Sequence, residues 1–182
     1  MKSLDRVLDR YGLIRVDVID CDLRGCYIQC TPNRPIDKFL LSPVVGPTMI
    51  NSPHYEIFSL YRKNGRKWLK QNYVNTQYCK MASSLGKTDY PLKIRKLFSS
   101  LKKGYLRKNF KNRYIVVLNE PFAKSRYGRD VEDNVPEIFI GHHRAGALLS
   151  LDVFNVKVVL AADIMPGTCQ SYGKIHDACV GR

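Results

Sequence analysis

Residues 137–163 read EIFIGHHRAGALLSLDVFNVKVVLAAD. Bulky apolar residues lead into Gly141, a histidine pair and Arg144, followed by small residues and leucines. Glu137–Ile140 has the make-up of a short strand, Arg144–Leu151 of a helix, and Val156–Ala162 of a second, β-branched strand. Strand, tight turn, helix and strand in that order predict a βαβ-like crossover inside an α+β fold. Upstream, Tyr114–Leu118 (YIVVL) is continuous and β-branched, which predicts a buried strand. Glu120–Pro136, between these strands, reads as a polar loop.

The turn itself carries the chemistry. A strand that ends in glycine and opens a helix aims the first helical amides at one spot, where the helix's own ladder does not use them. Together with the helix dipole they form an anion site. Gly141 lets the backbone come close to a phosphate. Arg144 adds a planar fork of donors matched to phosphate oxygens. His142 and His143 can donate to a phosphate or move protons near neutral pH. Ala145, Gly146 and Ala147 have little bulk, so the helix can approach the sheet closely or leave room for a ligand. A zinc site would need further ligands. Adjacent histidines point in different directions and His54 and His176 are remote in sequence, so no metal is assigned to the pair.

Working outward, Ile94, Leu97, Phe98, Leu101 and Tyr105 form one stripe of a helix predicted over Asp89–Tyr105, with Pro91 near its start and Gly104 as its stop. Lys93, Arg95, Lys96, Lys102 and Lys103 cover its other faces. Ser52-Pro53 is a natural helix start, placing His54, Tyr55 and Glu56 in a first turn and Ile57, Leu60 and Tyr61 on a buried face. Trp68 and Leu69 anchor a second short helix. Ile36–Leu41 (IDKFLL) is an apolar segment that stops at Ser42-Pro43. At the N-terminus, Leu4, Val7, Leu8 and Tyr11 share a helical stripe. Leu13–Ile19 alternates as a strand, and Cys26–Cys30 is expected to pair with it across a Leu23-Arg24-Gly25 turn.

The chain has 182 residues, enough for one domain, and is 45% hydrophobic, enough for a packed core. Thirty Lys and Arg against 16 Asp and Glu give a net charge of +14, which attracts nucleic acid, anionic lipid or phosphorylated small molecules. Met1–Tyr11 has no apolar h-region. The longest apolar runs, such as Val156–Ala162, fall far short of the roughly twenty residues of a membrane helix. A cytoplasmic protein without membrane contact is expected. Cysteines stand at 21, 26, 30, 79, 169 and 179 with no CxxC, and reduced, mostly buried thiols are expected.

The segments KLFSSLKKGY, YIVVL, EIFIGHHRAGALLSLDV and VKVVLAA, in this order, resemble the ParB/sulfiredoxin superfamily, with RPIDKFLLSP similar to its opening strand. The resemblance implies a small mixed sheet with packed helices. It divides the 182 residues into a single domain: a core at about 35–43 and 87–165, an insertion at about 44–86, an N-terminal extension 1–34 and a tail 166–182. NSPHYEIF and the gap after it are similar to members found in surface-polysaccharide gene clusters. In this superfamily the turn before the helix binds nucleotide phosphates. Partition proteins carry Gly-Glu-Arg-Arg and bind CTP, sulfiredoxins carry Gly-Cys-His-Arg and bind ATP, and free serine kinases carry Asp-Gly-His-His-Arg. Gly141-His142-His143-Arg144 is nearest the kinase form. His142 stands where sulfiredoxins have the catalytic cysteine, which argues against sulfinic acid repair, and where partition proteins have Glu, which argues against a CTP clamp. Ile140 departs from the kinase pattern, which has Asp there.

The resemblance therefore implies an ATP-dependent kinase of a small hydroxylated metabolite, such as a sugar, polyol or amino acid, using ATP or another nucleotide with Mg²⁺. Gly141, His142, His143, Arg144 and Ala145 would bind the phosphates, and His142 would also assist transfer. His54 or Glu56 would orient the acceptor, since they follow the segment after which kinase-type members carry their catalytic acid. Glu120 is a spare acid, and Ser125 and Arg126 lie in the loop before Glu137. The alternative is a partition-type nucleic-acid- or CTP-binding module without kinase activity, supported by the charge and the basic run Lys87–Arg113. Only about twenty residues follow Ala162, too few for a partition protein's extra DNA-binding domain.

Overall fold

The computed structural model describes residues 4–28, 36–42, 44–87, 90–102, 114–118 and 136–163. The expectations for the Cys30 end of the Cys26–Cys30 segment, for Gly104 and Tyr105, for Glu120, Ser125 and Arg126, and for the tail after Asp163 lie outside the described residues.

Among the described residues, five strands form one mixed sheet: β1 (Leu13–Asp22), β2 (Tyr27–Ile28), β3 (Val116–Leu118), β4 (Glu137–Ile140) and β5 (Asn155–Asp163), in the order β1-β5-β3-β4-β2. Among the described residues, five α-helices accompany it: α1 (Leu4–Asp9), α2 (Pro53–Asn72), α3 (Gln77–Ser84), α4 (Tyr90–Lys102) and α5 (His142–Ser150). The chain is thus an α+β protein.

Strand periodicity explains the layering. Side chains alternate between faces along a strand. Ile115, Val117, Ile138, Val156 and Val158 join the core beneath α2–α5, while Val116, Leu118, Phe139, Val159 and Ala161 join a second core with Leu8 of α1. YIVVL therefore has no polar face because both its faces are covered. Tyr11 closes the second core, its ring edge-on to Phe139 at 4.9 Å.

Three topological expectations are corrected. First, Tyr27–Ile28 does not pair with β1. It runs parallel to Glu137–Ile138 of β4, at the opposite edge of the sheet. β1 instead pairs its inner side with β5, antiparallel from Leu13↔Asp163 to Asp22↔Asn155. The amide of Leu23 continues that ladder to the Phe154 carbonyl, so the chain after Asp22 is held away from any hairpin. Second, Ile36–Phe39, within the segment likened to an opening strand, is a 3₁₀ turn. Prolines flank this segment and supply no ladder donors. Asn51 takes over its backbone, accepting from the Ser42 amide at 2.7 Å and donating to the Gly46 carbonyl at 2.7 Å. Third, β4 and β5 are not parallel neighbours. β3 lies between them, antiparallel to β4 and parallel to β5.

β1 is an outer strand with a bulge: its register to β5 shifts between Arg15 and Asp17, and Val16 there is 55% exposed. α2 is interrupted at Gly65, whose φ of 77° and ψ of −172° are not helical, so Trp68 and Leu69 do stand on a separate helical piece. The helices nearest the site start as their sequences dictate. The Ser52 hydroxyl accepts from the Tyr55 amide at 3.2 Å and so caps α2, and Thr76 does the same for α3 through Cys79 at 3.1 Å.

Candidate functional site

α5 starts differently from α2 and α3. Its cap is Gly141, at φ 103°, and no side chain caps it. L side chains rarely tolerate that backbone. A Cβ there would also stand 3.1 Å from Ile115 Cα and the Tyr114 carbonyl oxygen. Glycine is thus required twice, once by the left-handed turn and once by the Tyr114–Ile115 segment that leads into β3. The turn is held from below by Arg144, which donates to the Tyr114 carbonyl at 2.5 Å.

The second leg of the site is the start of α2. α5 crosses it at Gly146, where a Cβ would lie 2.7 Å from the carbonyl carbon and oxygen of His54 and 3.0 Å from the Tyr55 nitrogen. The missing side chain lets the two backbones touch, and this brings the buried His54 over the turn. At the far end, Arg62 of α2 donates to the Ser150 carbonyl at 2.5 Å and pairs with Asp152 at 2.7 Å, fixing the same crossing. The small residues after the histidines serve this close packing.

Three imidazoles and a phenol meet as a result. The ring of His54 lies 5.4 Å from that of His142, nearly parallel at 29°, and 4.8 Å edge-on from that of His143. Tyr78, on α3, is fully buried, with its hydroxyl 2.5 Å from His143 Nε2. Burial above all, then the positive fields of His142, Lys87, Arg144 and Lys93, push the His143 pKa down to about 3. His143 is therefore a neutral imidazole at neutral pH. It can carry one N–H donor to a ligand but no charge, which narrows the role that its sequence position suggested.

These groups line one end of a cavity of about 470 Å³. The Gly141–Arg144 turn and Lys87 and Lys93 make the cationic end, and Met81, Ala82, Leu85, Ile94 and Leu97 make an apolar wall. None of the described lining side chains is a carboxylate, and Ile140 is among them. The described lining is therefore cationic at the turn and apolar along α3 and α4. Among the described residues no group of three or more His, Cys, Asp or Glu side chains is arranged to hold a metal ion.

The structure brings together Gly141, His142, His143, Arg144 and His54, and it places Ala145, fully buried, behind the turn. Glu56 does not line the cavity. Its Oε2 accepts from the Tyr78 amide at 3.1 Å and so helps to cap α3, and burial first of all holds its carboxyl above the usual carboxylate range. The sequence reading missed Tyr78 and the wall from α3. The signal was present: Tyr78, Met81, Ala82 and Leu85 are spaced as one helical stripe after Thr76, a capping residue. No helix among the described residues is long and apolar enough to cross a membrane. Comparison with protein-family models, with curated proteins and with solved structures gave no match.

Proposed function

We propose that the chain binds a nucleotide, ATP in the first instance, with its phosphates on the Gly141–Ala145 turn, and transfers a phosphoryl group to a small hydroxylated metabolite. The observation that carries the binding half is the left-handed Gly141 opening α5 into a cavity with Lys87, Lys93 and Arg144 around it. A helix start, a cationic fork and two ammonium groups suit a polyphosphate better than any neutral ligand. The apolar wall suits a base or another flat, weakly polar moiety.

The transfer half rests on the resemblance of Gly-His-His-Arg to kinase-type members of the ParB/sulfiredoxin superfamily. Here His54 and His142 are the groups placed to orient an acceptor hydroxyl or the leaving phosphate. Glu56 is placed for α3 instead. The nucleotide's charge is met by Lys87, Lys93 and Arg144 in the region where the kinase pattern would have its acid.

The test is thermal shift with nucleoside di- and triphosphates, with and without Mg²⁺, on the natural chain and on Arg144→Ala. A ligand at one hundred times its Kd stabilises by about 2.7 kcal/mol, a rise of roughly 5–11 °C for a chain of this size. The rise should largely disappear in Arg144→Ala. No saturable stabilisation by any nucleotide would refute the proposal. Incubation of a stabilising triphosphate with pooled sugars, polyols and amino acids then reads phosphotransfer directly as a mass gain on the acceptor. The charge of +14 favours a second reading, nucleic-acid binding. Counterion release would then make affinity fall steeply with salt, whereas a nucleotide in a cavity would respond far less.

A further inference from the structure

The sequence expectation for the cysteines is reduced, mostly buried thiols. The structure brings two of them together. Cys21 is the last residue but one of β1 and Cys26 precedes β2, and their sulfurs lie 3.2 Å apart across the intervening turn. This is closer than two thiols that merely share a core need to be, and about 1.2 Å beyond a sulfur–sulfur bond of roughly 2.05 Å. We propose that Cys21 and Cys26 are a reversible dithiol–disulfide site, closed by a hydroperoxide and reopened by a thiol reductant.

The surroundings divide the roles. Cys21 keeps 7% of its surface exposed and Cys26 none, so an oxidant reaches Cys21 first. The Cys26 thiol, donating to Cys21, favours the Cys21 thiolate and lowers its pKa, while that same contact, burial and the nearby negative charge raise the pKa of Cys26. The Cys21 thiolate attacks one peroxide oxygen, giving a sulfenic acid and, after protonation of the leaving oxygen, water or an alcohol. Cys26 then attacks the sulfenic sulfur, forms the S–S bond and loses its proton, and the sulfenic oxygen leaves as water. The two thiols give up two electrons and the peroxide takes them.

The turn can supply the movement. A Cβ added at Gly25 would meet nothing within 4 Å, so the backbone there has open space. Leu23 stays anchored in the core through its amide on the Phe154 carbonyl, so the adjustment falls on Arg24 and Gly25, the exposed residues of the turn. The bond would also tie down both legs of the cavity. The Cys26 carbonyl accepts from the Met49 amide at 2.7 Å, just ahead of the α2 cap, and β2 pairs with β4, which leads into Gly141.

The experiment treats the full chain with stoichiometric hydrogen peroxide, blocks remaining thiols with iodoacetamide, and maps peptides by mass spectrometry. Trypsin cuts after Arg24, so the bridge appears as two peptides held together at about 2 Da below their sum and released by dithiothreitol. The bridge should form in monomeric protein, persist in Cys30→Ser and vanish in Cys21→Ser and Cys26→Ser. Closing a loop this short should also raise Tm by about 4–8 °C. Full alkylation of Cys21 and Cys26 after peroxide, their oxidation to sulfinic acids without a bridge, or loss of the bridge in Cys30→Ser would each overturn the proposal. The natural chain alone decides the first two, whether or not a variant folds.

Discussion

Gly146→Ala tests the architecture of the site because two physical effects predict opposite signs. In an exposed helix interior, alanine is about 1 kcal/mol better than glycine. At position 146 the new Cβ would stand 2.7 Å from the His54 carbonyl group, against about 3.4 Å for ordinary contact. The α2 backbone must therefore retreat by about 0.7 Å, and the obstacle is main chain, which cannot rotate aside. Forced overpacking costs about 1–3 kcal/mol. Set against the helix gain, the variant should lose up to about 2 kcal/mol, read as a lower urea midpoint at unchanged slope and a Tm lower by up to roughly 8 °C. Ligand affinity should fall as well, on the order of tenfold, since a shift approaching 1 Å moves His54 off the turn. An Ala variant at least as stable as the natural chain, with unchanged ligand-induced stabilisation, would show that the α2–α5 contact does not set the site.

Gly141→Ala forces an L side chain into a left-handed backbone and against β3, so it should lose at least about 1–2 kcal/mol and the thermal shift given by inorganic pyrophosphate. A variant that keeps both would contradict the anion cradle. The pH dependence follows from His143. Its pKa is depressed to about 3 in the folded chain against about 6.5 when unfolded, so the unfolded state binds the extra proton between these values. Stability is whole above about pH 6.5 and falls towards pH 3, by at most about 1.4 kcal/mol per pH unit from this group. Urea midpoints of the natural chain and His143→Gln from pH 8 to 4 should diverge, the variant losing less on acidification; parallel curves would refute the assignment. Glu56→Ala should cost about 1 kcal/mol through the lost α3 cap, whereas Glu56→Gln should be nearly neutral and keep any phosphotransfer activity. Complete loss of activity in a folded Glu56→Gln would instead place the carboxylate in the chemistry.

Local signals in the sequence located most elements. Ser52-Pro53 announces α2, the stripe from Ile94 to Leu101 announces α4, and Gly141 with its neighbours announces the turn and α5. Each depends on residues within a few positions of one another. Strand partnership does not. Tyr27 finds Glu137 across more than a hundred residues, and nothing within CYIQC distinguishes that edge from β1. The site shows the same division. Its turn is one contiguous motif, but Tyr78 reaches His143 only because Glu56 and Thr76 orient α3, and His54 arrives only because residue 146 has no side chain. Ile140 was visible as a departure from the kinase pattern, yet the cationic surroundings it shares become apparent only when Lys87 and Lys93 are brought to the same cavity.

The bulge in β1 has a colloidal consequence. An outer strand of ten residues is a template on which a second chain can extend the sheet. Here the two-for-one step at Val16, between Arg15 and Asp17, twists the rim out of line, so a straight newcomer cannot match its amides for more than a few residues. Among the described residues the other rim, β2, spans Tyr27–Ile28, and Thr48 already bridges to its Tyr27. The kinked β1 rim is thus a poor seed for fibre growth, and the straight part of the ladder lies inward, where β3 and β4 lead to the Gly141 turn.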